Sequence, residues 1–183
     1  MRLFIGIPLP REYQLVLESI REEWSDAFKS KLSWTKPGNW HLTLKFLGDT
    51  PEERLPGLKK IITDLEFGSF FIQGSGAGFF GSKGVYRVIW LGLKNDVHSL
   101  ISLAEMIDQN LADLGFEREK RPFKGHLTLA RIKYFHRKDP WNELTDYISK
   151  LDWPDFEVKE VVLWQSILSR SGPEYKVIRK TAV

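Results

Sequence analysis

The chain contains no cysteine, which removes disulfides, thiolate nucleophiles and Cys-ligated zinc or iron–sulfur centres together and leaves it indifferent to redox compartment. It has no apolar run of membrane-spanning length. The opening Met1–Pro10 segment carries one basic residue and a short apolar stretch ended by proline, so it reads as a buried first strand and not as a signal h-region. A cytoplasmic protein that does not engage a membrane is expected. There is no Gly/Ser linker, Pro-rich tract or low-complexity run. There is also no glycine fingerprint of a nucleotide-binding βα turn and no G-x-S-x-G elbow. Gly74-Ser75-Gly76-Ala77-Gly78 leads into Phe79-Phe80 with no helix behind it, and reads as a loop.

What is present suffices for a core. Of 183 residues, 42% are hydrophobic and 28% charged, which fits one compact domain or two small lobes. The net charge is only +3, but Arg118, Lys120, Arg121, Lys124, Arg131, Lys133, Arg137 and Lys138 face a single acid, Glu119, between positions 118 and 138. Such a stretch suits an anionic partner or a solvated face.

Organisation comes from repetition. His41-Leu42-Thr43-Leu44 recurs identically as His126-Leu127-Thr128-Leu129, at an offset of 85 residues, and the same offset carries Arg2-Leu3-Phe4-Ile5 onto Arg87-Val88-Ile89-Trp90. Tyr13, Val16, Leu17, Ile20 and Trp24 form the apolar stripe of a helix, matched by Val97, Leu100, Ile101, Ala104, Ile107 and Leu111. Asn95 or Asp96 can cap the second helix and Gly115 can end it. Thr50-Pro51-Glu52-Glu53 reads as a capping box opening a further helix, and Asp139-Pro140 starts its counterpart. Closing strands are expected over 69–72 and 156–168. Each copy is thus strand, helix, strand, helix, strand. The expected fold is α+β, a single domain over 1–183 built of two pseudo-symmetric lobes, approximately 1–83 and 84–183. Each lobe is a small antiparallel sheet backed by helices, with a cleft between them.

On a strand, alternate side chains share a face, so His41 and Thr43 point one way while Leu42 and Leu44 point the other, and the second copy repeats this. Strands placed about a pseudo-two-fold axis would converge two imidazoles and two hydroxyls on one phosphate-sized site. One imidazole can act as base and the other as acid in an in-line displacement at phosphorus, and Thr43 and Thr128 can donate to the non-bridging oxygens. Parity places Lys45 on the histidine face and Arg131 on the leucine face unless the strand twists or bulges; both are candidates for holding substrate. No metal and no other cofactor is expected, because each H-x-T supplies one good ligand and no carboxylate lies within either motif. His98 and His136 have no such context and read as surface residues.

The chain resembles the two-histidine (2H) phosphoesterases, specifically the RNA 2',3'-cyclic phosphodiesterases also called 2'-5' RNA ligases. The resemblance rests on the paired motifs, on Lys45-Phe46-Leu47-Gly48 after the first and Arg121-Pro122-Phe123 before the second, and on Ala130-Arg131, Ser166, Gly172 and Tyr175. Gly125 stands where these proteins commonly carry proline. The resemblance implies hydrolysis of RNA 2',3'-cyclic phosphate ends to 2'-phosphomonoesters, with His41 the proton donor and His126 the acceptor, and 2'-5' ligation when an RNA 5'-hydroxyl replaces water. The implied partner is RNA with a 2',3'-cyclic phosphate end, bound by a monomer. The basic stretch, and aromatics among Phe79, Phe80, Phe123 and Tyr175, would hold the rest of the RNA. The residues alone leave the order of the two histidines open. They also leave open a non-catalytic RNA-end binding module, or an enzyme for another 2'-5' or small nucleotide phosphodiester.

Overall fold

The computed structural model describes residues 1–169 and 172–182. In chain order these form β1 (Arg2–Pro8), α1 (Arg11–Trp24), β2 (Lys31–Trp34), β3 (His41–Asp49), α2 (Leu55–Thr63), β4 (Phe70–Ser82) and β5 (Val85–Asn95). There follow α3 (Val97–Asp113), β6 (Leu127–Tyr134), α4 (Trp141–Lys150), β7 (Asp155–Val158), β8 (Glu160–Ser169) and β9 (Gly172–Ala182). The expected helix stripes are the buried ones: Tyr13, Leu17 and Ile20 on α1, and Leu100, Ala104, Ile107 and Leu111 on α3. Asp96 supplies the α3 cap, its carboxylate accepting from Ser99 N–H, and Gly115 ends the helix at φ +79°. Thr50 does not cap a helix. Its main chain is tied to Met1 in both directions and its hydroxyl turns back to Gly48 O, so only a 3-10 turn over Glu52–Arg54 precedes α2.

The described strands form one antiparallel sheet in the order β7-β4-β5-β6-β3-β1-β8-β9, with β2 also paired to β6. Only Lys159 separates β7 from β8, although they stand at opposite sides of this path. A single residue spans about 3.5 Å, so the sheet must wrap until its two flanks approach. The expected strand over 156–168 is therefore two strands, one for each half.

The closing strand of each copy crosses over: β4 pairs with β5 and β8 pairs with β1. In space, β1, β3, β8 and β9 carry α2 and α3, while β4, β5, β6 and β7 carry α4. Helix α1 joins α4, through Trp24 against Tyr147 and Tyr13 against Trp153 and Phe156. The repeat boundary near residue 83 falls in the β4–β5 turn, where Lys83 and Gly84 both have positive φ, the geometry a tight hairpin needs. It divides the sequence but not the spatial halves. Tyr13 fastens this exchange: its hydroxyl accepts from Gly74 N–H at 2.7 Å and donates to Pro154 O at 2.6 Å, and burial pushes the phenol up to about 12.

Two expectations about strands need correction. The glycine-rich stretch 74–78 belongs to β4, bulged between Gly74 and Ala77 with Gly76 at φ +66°. A Cβ on Gly78 would lie 2.5 Å from the Trp90 ring, so these glycines let aromatic rings lie on the strand. The β1 and β5 copies correspond at an offset of 84, not 85. Phe4 faces Phe46 and Val88 faces Arg131, and the buried pairs Ile5/Ile89 and Ile7/Leu91 then coincide.

Candidate active site

The two motif strands meet at the centre of the sheet, where β3 and β6 pair antiparallel through Leu42 and Leu127. Both leucines are buried, as are Leu44 and Leu129, against the helix-backed core. That register sets His41 across from Thr128 and Thr43 across from His126, all four half-buried on the opposite, open face. The histidines are then diagonal neighbours, a relation that separates backbones by roughly 7–8 Å. Two side chains so placed can flank a single tetrahedral group.

Each ring is held in the same way. His41 Nδ1 lies 2.8 Å from Asn39 O, and His126 Nδ1 lies 2.8 Å from Lys124 O. A carbonyl only accepts, so Nδ1 carries the hydrogen and Nε2 is left to exchange protons with whatever occupies the open face. Among the described residues neither the Thr43 nor the Thr128 hydroxyl has a protein partner, so both can donate to a bound anion.

The surroundings of the two rings differ. His41 sits in an aromatic cage, with centroids of Phe4 at 4.6 Å, Tyr175 at 5.2 Å and Trp164 at 5.7 Å. Phe4, Val162 and Trp164 form a small buried cluster of their own, on the side of the sheet away from the main core. Burial lowers His41 to about 4; its bond to Asn39 O opposes this and the nearby Arg131 guanidinium adds to it. Burial also raises Tyr175, against the pull of Arg131. Among the described residues the one ring against His126 is Phe80, edge-on at 4.9 Å. Phe79 instead stacks on Tyr86 and belongs with the core. Tyr175 was within reach of sequence reasoning, but Phe4 and Trp164 were missed. The available signal was phase, since Phe4 alternates with the buried Ile5 and Ile7.

Simple alternation mislocates the two remaining candidates. In β3 the partners of Gly6 and Ile5 are Thr43 and Lys45, skipping Leu44; in β6 the partners of Trp90 and Ile89 are Thr128 and Ala130, skipping Leu129. Each motif thus ends in a β-bulge at its last leucine, which inverts the facing of the residues that follow as far as the next bulge. Lys45, expected on the histidine face, points into the helix side. Its Nζ is buried on Asp108 at 2.6 Å, with Glu117 O at 2.9 Å and Glu119 at 3.4 Å. Burial pushes the Asp108 carboxyl up, but Lys45, Glu119 N–H and Arg118 together hold it below the usual carboxylate range. Arg131 and Phe46, at equivalent positions of the two copies, emerge on the open face, and Phe46 is 62% exposed.

Gly125 packs closely at the entry to β6: a Cβ there would lie 2.7 Å from Leu100. His98 is exposed on α3, and His136 bonds Asp139, which also accepts from the Lys29 and Ser30 amides. Among the described residues no group of three or more His, Cys, Asp and Glu is placed to hold a metal ion, and no helix is long and apolar enough to cross a membrane.

Comparison with known proteins gives consistent results. The family model described as LigT like Phosphoesterase matches twice, over residues 7–90 and 91–175. The RNA 2',3'-cyclic phosphodiesterase of Methanocaldococcus jannaschii is 33% identical over 184 residues, covering 98% of this chain and 99% of that protein. The protein of that name from Archaeoglobus fulgidus is 36% identical over 182 residues, 98% of each. The crystal structure of E. coli LigT complexed with 3'-AMP matches with a TM-score of 0.77 at 26% identity, covering 100% of this chain and 97% of the other.

Proposed function

The chain belongs to the LigT-like phosphoesterase family, and on that premise we propose that it is an RNA 2',3'-cyclic phosphodiesterase whose His41 and His126 act as acid and base. The observation that carries the assignment is the matched pair of Nδ1 bonds, which leaves two Nε2 atoms on one open face beside two free hydroxyls. In this reading His126 Nε2 takes a proton from water as its oxygen bonds to phosphorus. The bond from phosphorus to the 3'-oxygen breaks, and that oxygen receives the proton of His41 Nε2. The products are a 2'-phosphomonoester and a free 3'-hydroxyl. Thr43 and Thr128 donate to the non-bridging oxygens, and Arg131 balances their charge.

His41 lies low, at about 4, in the free protein and must hold a proton to act as the acid. A phosphodiester anion set between the rings provides the opposing charge that burial and Arg131 withhold, so His41 is charged by its substrate. With an RNA 5'-hydroxyl in place of water, the same groups form a 2'-5' linkage. The setting we assign is a cytoplasmic monomer.

Phosphorus NMR of the product from a 2',3'-cyclic nucleotide tests the reaction, with a 2'-phosphate expected and a 3'-phosphate contradicting the named leaving oxygen. His41→Ala and His126→Ala should each lower turnover by roughly 10²–10⁴-fold, while EDTA leaves the native protein active. A substrate whose 3'-bridging oxygen is replaced by sulfur needs no acid. It should restore His41→Ala but not His126→Ala, and the reverse pattern would exchange the two roles.

A further inference from the structure

Two exits lead away from the histidine pair, related by the pseudo-two-fold axis. One follows β3 past Phe46 to the 116–121 segment; the other follows β6 past Arg131 to β2. They differ in how their charges are used. On the first, Arg118 is paired with Asp108 at 3.3 Å, Lys120 with Glu117 at 2.8 Å, and Lys45 is buried on Asp108. On the second, β2 and β6 contain no acidic residue, and among the described residues Lys31, Arg131 and Lys133 form no ion pair.

Register places Arg131 and Lys31 on the same face as the histidines. Ser33 pairs with Arg131 and Leu32 with the buried Ile132, so Lys31 and Ser33 face the way Arg131 faces. The shift between Leu32 and Lys31 leaves Lys133 as an extra residue, and Lys133 and Tyr134 are both exposed, Tyr134 by 60%. Three uncompensated cations and an exposed ring in one line from a phosphate site form a track for single-stranded nucleic acid: charges for the backbone and an aromatic face for a base.

We infer that the RNA upstream of the cyclic end leaves the site along β6 and β2, over Lys133, Lys31 and Tyr134, and not over the 118–121 segment. This rests on the phosphodiesterase reading of the site. The basic stretch from 118 to 138 is thereby divided. In its first part Arg118 and Lys120 are paired with Asp108 and Glu117 while Arg121 and Lys124 form no ion pair among the described residues; the second part, joined by Lys31 from a distant strand, runs along two strands that carry no acid.

The test compares a mononucleotide 2',3'-cyclic phosphate with a short oligoribonucleotide ending in the same group, using full-length protein. Lys31→Gln/Lys133→Gln should hydrolyse the mononucleotide as the native protein does, which also shows that it is folded, but should raise KM for the oligonucleotide. Losing two phosphate contacts lowers the salt slope by about 1.4, so raising salt from about 50 to 200 mM should weaken the native protein about sevenfold more than the variant. Tyr134→Ala should likewise affect only the oligonucleotide, and Lys120→Gln/Arg121→Gln neither substrate. Unchanged oligonucleotide kinetics in Lys31→Gln/Lys133→Gln, or a loss confined to Lys120→Gln/Arg121→Gln, would overturn the path while leaving the chemistry standing. A native protein inactive on the mononucleotide would remove the reading beneath it.

Discussion

Replacing Lys45 with methionine separates two roles that the residue could have. Lys45 is 5% exposed at its side chain and Asp108 12%, and the contact between them is 2.6 Å. Methionine matches the length of the stem but leaves the carboxylate with only Arg118 Nε and the Glu119 amide, each at 3.3 Å. Breaking one side of a buried pair costs about 3–5 kcal/mol when nothing else compensates; with these two donors remaining, about 3 kcal/mol is expected. For a chain of this length that corresponds to a fall in Tm of about 6–12 °C. Denaturant unfolding read by tryptophan fluorescence gives the free energy directly. Lys45→Met/Asp108→Leu should recover most of the loss, since an apolar pair replaces a buried ionic one at little net cost. Mononucleotide turnover below the transition should stay within a few fold of native, because Nζ points away from the open face. Native stability combined with a turnover drop of a hundredfold or more would place Lys45 at the substrate and refute the bulge reasoning.

Stability should also respond to acid through His41. Its folded pKa of about 4 lies below the ordinary 6.5 of the unfolded chain, so the unfolded state binds the extra proton between those values. The stabilisation is complete above pH 6.5 and about 2–3 kcal/mol of it is lost on acidification to pH 4; His41→Gln should flatten that window, and an unchanged slope would remove the cage argument. Asp108 and Asp139, held below the carboxylate range, contribute losses only below about pH 4. Gly6→Ala puts a Cβ 2.5 Å from Leu42 O, a clash with backbone that no rotamer relieves. It should cost about 2–4 kcal/mol and lower turnover as well, because Gly6 pairs with Thr43; a stable, active variant would show that β1 can move without disturbing the motif.

Much of the fold was legible because helices carry local signals. The stripes on α1 and α3, the Asp96 cap and the Gly115 stop can each be read within a few residues. The duplicated tetrapeptide was equally local, and its meeting across β3 and β6 followed from symmetry. What lay beyond reach depends on partners distant in sequence. The exchange of β4 and β8 is decided by which edge accepts each strand, and Tyr13 bonding both Gly74 and Pro154 fixes it over separations of 61 and 141 residues. The glycine run in β4 reads as loop until the rings of Trp90 and Trp153 are known to lie on it. The caging of His41 by Trp164 and Tyr175 likewise requires β8 and β9 to arrive beside β1.

The bulges explain how a duplicated chain comes to hold an unsymmetrical site. Alternation holds from His41 to Thr43 and from His126 to Thr128, so the two histidines keep their symmetry. One residue later both strands slip, and the positions that follow exchange faces. The inward position is Lys45 in one copy and Ala130 in the other. In the second copy β2 pairs as a ladder against Ala130; in the first, where 116–119 forms no strand, the Lys45 ammonium binds the Glu117 carbonyl in its place. The outward position is Phe46 on one side and Arg131 on the other, so a single slip gives one exit an exposed aromatic ring and the other a free guanidinium. Two identical histidine motifs therefore see different fields. His41 lies beside the Phe4–Trp164 cluster and Arg131, whereas the one ring against His126 among the described residues is the edge of Phe80. That difference is the physical means by which equal residues can take up unequal roles as acid and base.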